Sequence, residues 1–172
     1  MLLLVPPPPP TYYIRFPSDG NMRDIHFPFS QDTVNANPDN GRAVVVETFF
    51  SYLHDEMSAY EIDSLTLDGE VRKASPVTSA DLFGMTTTNS DDLTIGQQLE
   101  RTLPYFDYIA PMTYPSHYPP GFNGYPNPNK EVYGVIKYSM DQAVMRMNAA
   151  STSPNKIRPW LQDFDYGGNY DI

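Results

Sequence analysis

The sequence predicts an α/β fold in which about four parallel strands alternate with helices. The first observation is that strand-like and helix-like apolar patterns alternate along residues 11–164, an order typical of parallel strands joined by crossovers. The second is that acids and aromatic residues follow each strand, so they should meet at one end of the sheet. The third is length, because 172 residues are too few to close a (β/α)8 barrel of about 250 residues. The sequence therefore predicts a partial (β/α)8 TIM barrel or a small open doubly wound sheet.

The first strand is predicted at residues 11–16, which are β-branched or aromatic except for Arg15. A charged side chain within an apolar strand is costly unless it is paired. Arg15 is therefore expected either to hold a carboxylate in a site or to form a structural ion pair. A long loop is expected over residues 22–40. The apolar face that repeats from Val45 to Met57 then predicts a helix packed on a sheet.

The middle of the chain predicts a short hairpin-like insertion, a second strand and a second helix. The insertion covers residues 62–75, and the strand covers residues 75–83. Asp81 lies near the end of this strand, where catalytic carboxylates are expected in barrels; capping of the following loop is the alternative. Thr94 is the expected N-cap of the helix over residues 95–103.

Residues 107–121, DYIAPMTYPSHYPPG, predict a buried strand that ends in a loop rich in Tyr, His and Pro. Because proline lacks the N–H that a sheet needs, the strand should end near Thr113. The aromatic faces and hydroxyls of this loop suit a sugar, which presents apolar C–H faces and many hydroxyls. A structural tyrosine-rich loop is the alternative. The side chains concerned are Tyr114, Ser116, His117, Tyr118 and Tyr125.

The last helix is predicted to open at Asn129 or Lys130, because its apolar residues keep a 3.6-residue period as far as Met147. The last strand is predicted at residues 157–164, with Trp160, Gln162 and Asp163 at its carboxyl end. A Trp face beside a carboxylate is what a sugar subsite needs. A Trp packed in the core is the alternative.

Composition argues against several classes of function. The net charge of −10 disfavours nucleic-acid partners and docking on anionic membranes. The chain has no Cys, and its three histidines, His26, His54 and His117, show no metal-ligand spacing. It also lacks a Gly-rich phosphate loop and a dinucleotide fingerprint. No metal or cofactor is therefore expected.

Residues 1–10 precede the fold predicted for residues 11–172. They consist of an apolar start followed by five prolines. The apolar part is too short for a signal peptide, and far short of the roughly 20 residues of a membrane span. No integral membrane segment is expected, and we interpret residues 1–10 as a proline-rich tail or a gene-model artefact.

Four segments, in order and with suitable spacing, resemble the putative glycoside hydrolase family DUF4015, which has a TIM-barrel fold. They are YIRFPSDG (13–20), SADLFG (79–84), DYIAPMTYPSHYPPGFNGYPNP (107–128) and IRPWLQDF (157–164). The resemblance covers most of residues 11–170 and implies the carboxyl-terminal half of the barrel, about strands four to seven. It also implies glycoside hydrolysis, and an extracytoplasmic location for full-length members.

The chemistry implied by this resemblance needs two carboxyl groups. One protonates the leaving oxygen, and the other attacks the anomeric carbon or activates water. Asp81 and Asp163 are the predicted catalytic pair for a poly- or oligosaccharide substrate. The predicted substrate-binding residues are Arg15, Tyr114, His117, Tyr118, Trp160 and Gln162.

Two further hypotheses come from one position at which the chain departs from the family pattern and from the length of the chain. The family pattern has an acid before YIRFP, where this chain has Tyr12. A non-catalytic carbohydrate-binding remnant is therefore the second hypothesis. The third is an unstable fragment, truncated relative to a full barrel. The uncovered edges of such a fragment would favour self-association.

Overall fold

The computed structural model describes residues 12–15, 22–25, 41–66, 69–166 and 168. For the first two of these segments only the backbone is described. The elements are β1 (Tyr12–Arg15), β2 (Met22–Ile25), α1 (Gly41–Ser58), β3 (Ile62–Leu65), β4 (Val71–Ala74), β5 (Ser79–Phe83), α2 (Leu99–Thr102), β6 (Tyr108–Thr113), α3 (Val132–Ala149) and β7 (Trp160–Leu161). None of these three helices is long and apolar enough to cross a membrane.

The carboxyl-terminal part of the chain forms a parallel sheet with the strand order β5-β6-β7. Ser79 pairs with Tyr108 at the start of the β5–β6 ladder, and Met112 pairs with Trp160 in the β6–β7 ladder. Helices α2 and α3 connect successive strands of this sheet. The predicted alternation of strands and helices is therefore confirmed from β5 to β7, and the fold class is α/β.

The amino-terminal strand differs from its prediction. β1 pairs antiparallel with β2, so that Tyr12 lies opposite Ile25, whereas a parallel strand followed by a loop over residues 22–40 was expected. Parallel neighbours need a connection of about a dozen residues or more. The segment between these two strands, residues 16–21, is too short for that. The rest of the expected loop, residues 26–40, lies outside the described residues.

The insertion between α1 and the parallel sheet is a hairpin, as predicted. β3 and β4 pair antiparallel, with Ile62 opposite Ala74 and Leu65 opposite Val71. The structure is therefore a mixed α/β arrangement with one parallel sheet and two antiparallel hairpins in the part of the chain that is described.

One face of the parallel sheet packs against the helices. Side chains alternate between the two faces of a strand, and on β5 the residues Ala80 and Leu82 are buried while Asp81 between them is exposed. The buried cluster is Ala80, Leu82, Leu99, Leu103, Phe106, Ile109, Ala143 and Met147. Phe50 and Leu53 of α1 pack against the same cluster. All three helices therefore contribute to the core on one side of the sheet.

The second helix is much shorter than predicted, and Thr94 is not its N-cap. Leu93 and Thr94 have positive φ angles of 52° and 59°, and the Thr94 N–H donates to Asp92 Oδ1 at 2.8 Å. This side-chain turn competes with helix formation. Gly96, with φ of 80°, then packs against α1, where a Cβ atom would lie 2.7 Å from Val46 Cγ2. The helix begins only after this contact, at Leu99.

The last strand is also shorter than predicted. β7 contains only Trp160 and Leu161, and Ile157 forms an isolated bridge with Ile109. Pro159 lies between these two pairings and lacks the N–H that would continue the ladder.

α3 begins at Val132, after a single 3-10 turn over Pro128–Lys130.

Arg146 of α3, in the β6–β7 connection, binds two parts of the β5–β6 connection. Its guanidinium donates to both carboxylate oxygens of Glu100 in α2, at 2.6 and 2.5 Å. It also donates to the carbonyl oxygens of Thr86 and Asn89, at 2.6 and 2.8 Å, in the segment after β5. Such charge-assisted, bidentate geometry is among the stronger hydrogen-bond arrangements in proteins.

We expect the Glu100→Gln variant to lose stability in a pH-dependent way. Burial raises the pKa of Glu100, but the hydrogen bonds from Arg146 outweigh it and leave the pKa below its ordinary value of 4.5. The contact between ionised Glu100 and Arg146 thus contributes fully to the free energy of unfolding above pH 4.5. This contribution is lost as pH falls through the lower pKa that Glu100 has in the folded state. Because Glu100 is 45% exposed, we expect about 1 kcal/mol or less.

Urea unfolding at pH 7 and at pH 3 tests this expectation. The difference between wild type and Glu100→Gln should shrink at the lower pH. The Glu61→Gln variant is the matched control, because it removes the same charge from an exposed position between α1 and β3. A difference that stays constant with pH, or that Glu61→Gln reproduces, would contradict the assigned role of the Arg146 contact.

Candidate active site

The carboxyl ends of β5, β6 and β7 lie together at one end of the parallel sheet, which we call the carboxyl edge. The chain leaves β5 in a 3-10 turn at Gly84–Thr87 and leaves β6 in the loop that contains the 3-10 turn Pro115–His117. This edge is where α/β folds with parallel strands carry their sites. Most of the residues predicted from the sequence lie on the strands or in the loops at this edge.

Asp81 and Trp160 are joined by a hydrogen bond across the sheet. The indole Nε1–H donates to Asp81 Oδ1 at 3.0 Å. Asp81 pairs with Ala110, and Trp160 pairs with Met112, so both side chains lie on the face opposite the helices. Ala110 lies between them on β6 and is 5% exposed.

Four rings form a continuous group at the same edge, which we call the aromatic row: Phe83, His117, Tyr114 and Phe164. His117 stacks on Phe83, with ring centroids 5.7 Å apart. Tyr114 meets His117 edge to face at 5.2 Å and Phe164 at 5.4 Å. The aromatic row joins the loop after β6 to the end of β5 and to the segment after β7. Together with Trp160, which is 53% exposed, it provides ring surfaces for a ligand with apolar faces.

Gln162 links the loop after β6 to the segment after β7. Its Oε1 accepts from the Ser116 N–H and hydroxyl, at 3.3 and 2.8 Å. Its Nε2 donates to the carbonyl oxygens of Phe164 and Tyr166. Both ends of the amide are therefore engaged within the protein. In this structure Gln162 supports the aromatic row, and its predicted contact with substrate remains a prediction.

Tyr118 lies apart from the other predicted site residues. It is 4% exposed, and its hydroxyl accepts from Ser139 Oγ of α3 at 3.0 Å. Burial raises the pKa of the Tyr118 hydroxyl, although the hydrogen bonds from Ser139 and Thr87 oppose the shift. Its ring packs on Phe122 with centroids 4.5 Å apart. Tyr118 thus fastens the loop to α3 and does not reach the surface that carries Asp81.

The remaining predicted residues are placed differently. Asp163 is exposed in the segment that follows β7. The backbone of Arg15 ends β1, but its side chain lies outside the described residues. No group of three or more His, Cys, Asp or Glu side chains is arranged to hold a metal among the described residues.

The prediction from sequence missed several residues on this surface. Phe83 is two residues beyond Asp81 on β5, so strand alternation alone would have placed it on the same face. Arg158 lies over the Tyr108 ring, 4.4 Å from its centroid, and no sequence pattern signalled this pair. Phe164 ends the last predicted strand, and its contact with Tyr114 depends on how the loops fold.

A cavity of about 220 Å³ lies at the opposite, amino-terminal end of the sheet. Its lining includes Thr78, Asp107 and Lys156. Asp107 Oδ2 accepts from both the N–H and the hydroxyl of Thr78, and Lys156 Nζ donates to the Leu103 carbonyl oxygen. These polar groups hold neighbouring connections together, so the carboxyl edge, with its exposed carboxylate and rings, is the candidate active site.

Comparison with known proteins assigns almost the whole chain to one family. A family model described as a putative glycosyl hydrolase domain matches residues 12–171. This match includes all three strands of the parallel sheet and every residue of the aromatic row. Neither the search of curated proteins nor the search of solved structures found a significant match.

Proposed function

Because the chain belongs to the putative glycosyl hydrolase domain family, we propose that it binds a carbohydrate at the carboxyl edge of its parallel sheet and hydrolyses a glycosidic bond there. One observation carries this proposal. Asp81 is exposed beside Trp160, the single Trp of the chain, at the edge that also holds the aromatic row. A carboxylate next to exposed rings supplies one of the two carboxyl groups that glycoside hydrolysis needs, together with a surface on which a sugar ring can stack.

The proposal extends to the architecture. The sheet would be a section of a (β/α)8 barrel wall, whose helices lie outside; helices on one face, with Asp81, Arg158 and Trp160 on the other, support this proposal. The free edge of such a section would accept another strand, from a second copy or from the rest of a barrel. At the β5 edge, the Phe83 N–H donates to Gln97 Oε1 at 2.7 Å. One backbone donor of β5 is thus already hydrogen-bonded to a side chain and is not open to another strand.

The proposed reaction uses Asp81 and Asp163. One carboxyl group donates its proton to the glycosidic oxygen as the bond from that oxygen to the anomeric carbon breaks. The other carboxylate either forms a covalent bond to the anomeric carbon, later displaced by water, or removes a proton from the attacking water. The first course needs carboxyl groups about 5–5.5 Å apart and the second about 6.5–9.5 Å.

The charge of the chain favours a neutral poly- or oligosaccharide. Asp81, Asp163 and Asp165 all lie on or just after the strands that end at this edge, and the net charge is −10. A polyanionic glycan would be repelled by this surface. The ring faces of Trp160 and the aromatic row would stack on the apolar face of a sugar ring.

A second candidate function is carbohydrate binding without catalysis. The exposed ring of Trp160 and the aromatic row favour it, because they could bind a sugar without a second carboxyl group. It also agrees with Tyr12 at the position where the family pattern has an acid. This candidate predicts saturable binding of oligosaccharides and no turnover.

The proposal is tested by incubating the full chain with neutral oligosaccharides and aryl glycosides and following the anomeric signals by proton NMR. We expect hydrolysis with a single stereochemical outcome. Asp163→Asn should lower kcat about 10²- to 10⁴-fold on oligosaccharides, the usual effect of losing acid–base catalysis. Asp55→Asn, at an exposed carboxylate of α1, is the control and should keep kcat. Binding without turnover would support the second candidate, and neither binding nor turnover would overturn both.

A further inference from the structure

We propose that Trp160 is a positioning residue that holds Asp81 as the anionic partner of the reaction, rather than as the proton donor. This inference rests on the proposed function and deepens it, because it assigns distinct roles to the two carboxyl groups. It starts from the hydrogen bond between the indole Nε1–H and Asp81 Oδ1, at 3.0 Å.

The chemistry of the indole gives the bond its direction. The Trp Nε1–H can only donate, and a donor binds an ionised carboxylate more strongly than a neutral carboxyl group. The bond therefore suits the group that must be negatively charged when the substrate arrives. It occupies Oδ1 and leaves Oδ2 for the anomeric carbon or for a water molecule.

Both partners of this bond are attached to well-anchored backbone. Asp81 lies between Ala80 and Leu82, which are both buried in the core. On the other side, the Trp160 carbonyl oxygen accepts from Oγ1 of the buried Thr113 at 3.1 Å. The indole and the carboxylate are thus carried by β5 and β7, on either side of β6. Catalytic groups need this kind of support, because small displacements cost much of the rate.

The indole can meet the substrate at the same time. The hydrogen bond uses the edge of the ring, whereas a sugar stacks on its face, and the side chain is 53% exposed. Trp160 would then hold both the Asp81 carboxylate and the sugar ring on which that carboxylate acts. Asp163 remains as the proton donor to the leaving oxygen, so that the charges and protons of the proposed reaction balance.

A measurement that does not require activity tests the contact itself. The chain has one Trp, so a 15N-labelled sample gives one indole N–H signal. We expect Asp81→Ala to move this proton signal upfield, because a hydrogen bond to a carboxylate is lost, while Asp165→Ala leaves it in place. An indole signal that is unchanged in Asp81→Ala would overturn the proposal.

The second test separates positioning from sugar binding. Trp160→Phe keeps an aromatic face but removes the N–H. We expect kcat to fall about 10- to 100-fold, as for a lost hydrogen bond to a charged group, with KM changed by less than about threefold. The Asp81→Asn/Trp160→Phe double variant should be no slower than Asp81→Asn alone. A raised KM with unchanged kcat would reduce Trp160 to a binding platform and overturn the proposal.

The role assigned to Asp81 is tested with leaving groups. A variant that lacks the proton donor still cleaves aryl glycosides whose leaving group needs no proton, whereas a variant that lacks the anion cleaves neither class. We expect Asp81→Asn to lose activity on both classes of substrate. Asp163→Asn should still cleave the aryl glycosides whose leaving group needs no proton. The reverse pattern would overturn the assignment. If wild type cleaves no glycoside, the proposed function fails and the catalytic role falls with it, while the indole signal still decides the contact.

Discussion

The Asp81→Asn variant is expected to lose at least about 10³-fold in kcat/KM, the order of loss seen when a catalytic carboxylate is removed. The substitution keeps the size of the side chain and removes its charge. Because Asp81 is exposed on β5, the free energy of unfolding should change by no more than about 0.5 kcal/mol. Kinetic assays on the best substrate, together with urea unfolding, measure the two effects separately.

The control for this variant is Asp55→Asn. Asp55 is an exposed carboxylate on α1 and contacts His54. The substitution therefore removes one charge from a part of the chain outside the proposed site. Its kcat/KM should equal that of wild type. Comparable activity of Asp81→Asn and wild type would place the chemistry elsewhere, and a loss that accompanies unfolding would show that Asp81 supports the fold.

Gly84→Ala is expected to lower the free energy of unfolding by about 3 kcal/mol or more. Gly84 follows β5 and lies against the end of β6. A Cβ atom there would stand 2.2 Å from the Met112 carbonyl oxygen and 2.9 Å from Tyr118 Oη. The first of these atoms belongs to the backbone of the central strand, so it cannot move without disturbing the sheet. Urea unfolding of the two proteins gives the difference.

Gly121→Ala is the matched control for Gly84→Ala. Gly121 has a φ of +86° and no atom within 4 Å of its virtual Cβ, so an alanine there suffers backbone strain without a clash. Its expected cost is about 1–2 kcal/mol. If Gly84→Ala cost less than Gly121→Ala, the close approach of the β5 end to β6 would be contradicted.

Local patterns predicted the central elements well. The apolar run before the prolines placed β6 within one residue, and the 3.6-residue period found α1 and α3. The hairpin-like insertion predicted over residues 62–75 is the β3–β4 hairpin. These features depend on neighbours in sequence, since burial period and turn chemistry act over a few residues.

Predictions that depended on distant neighbours were less accurate. Thr94 has the side chain of an N-cap, but the turn at Asp92 and the packing of Gly96 on α1 delay the helix to Leu99. β1 has the composition of a buried parallel strand, yet it pairs with β2 in a hairpin. In each case a competing partner, absent from the local pattern, determined the outcome.

The sequence by itself determined the alternation of β5 to β7 with helices, the positions of Asp81 and Trp160 near strand ends, and the family motifs that point to glycoside hydrolysis. Only the tertiary structure decided which of these side chains meet. Asp81 and Trp160 are 79 residues apart and touch because the strand order and register bring them to one face across β6. Tyr118 belongs to the same motif as His117, yet α3 buries it. Periodicity and turn chemistry are local, whereas register and packing are set by contacts between distant segments.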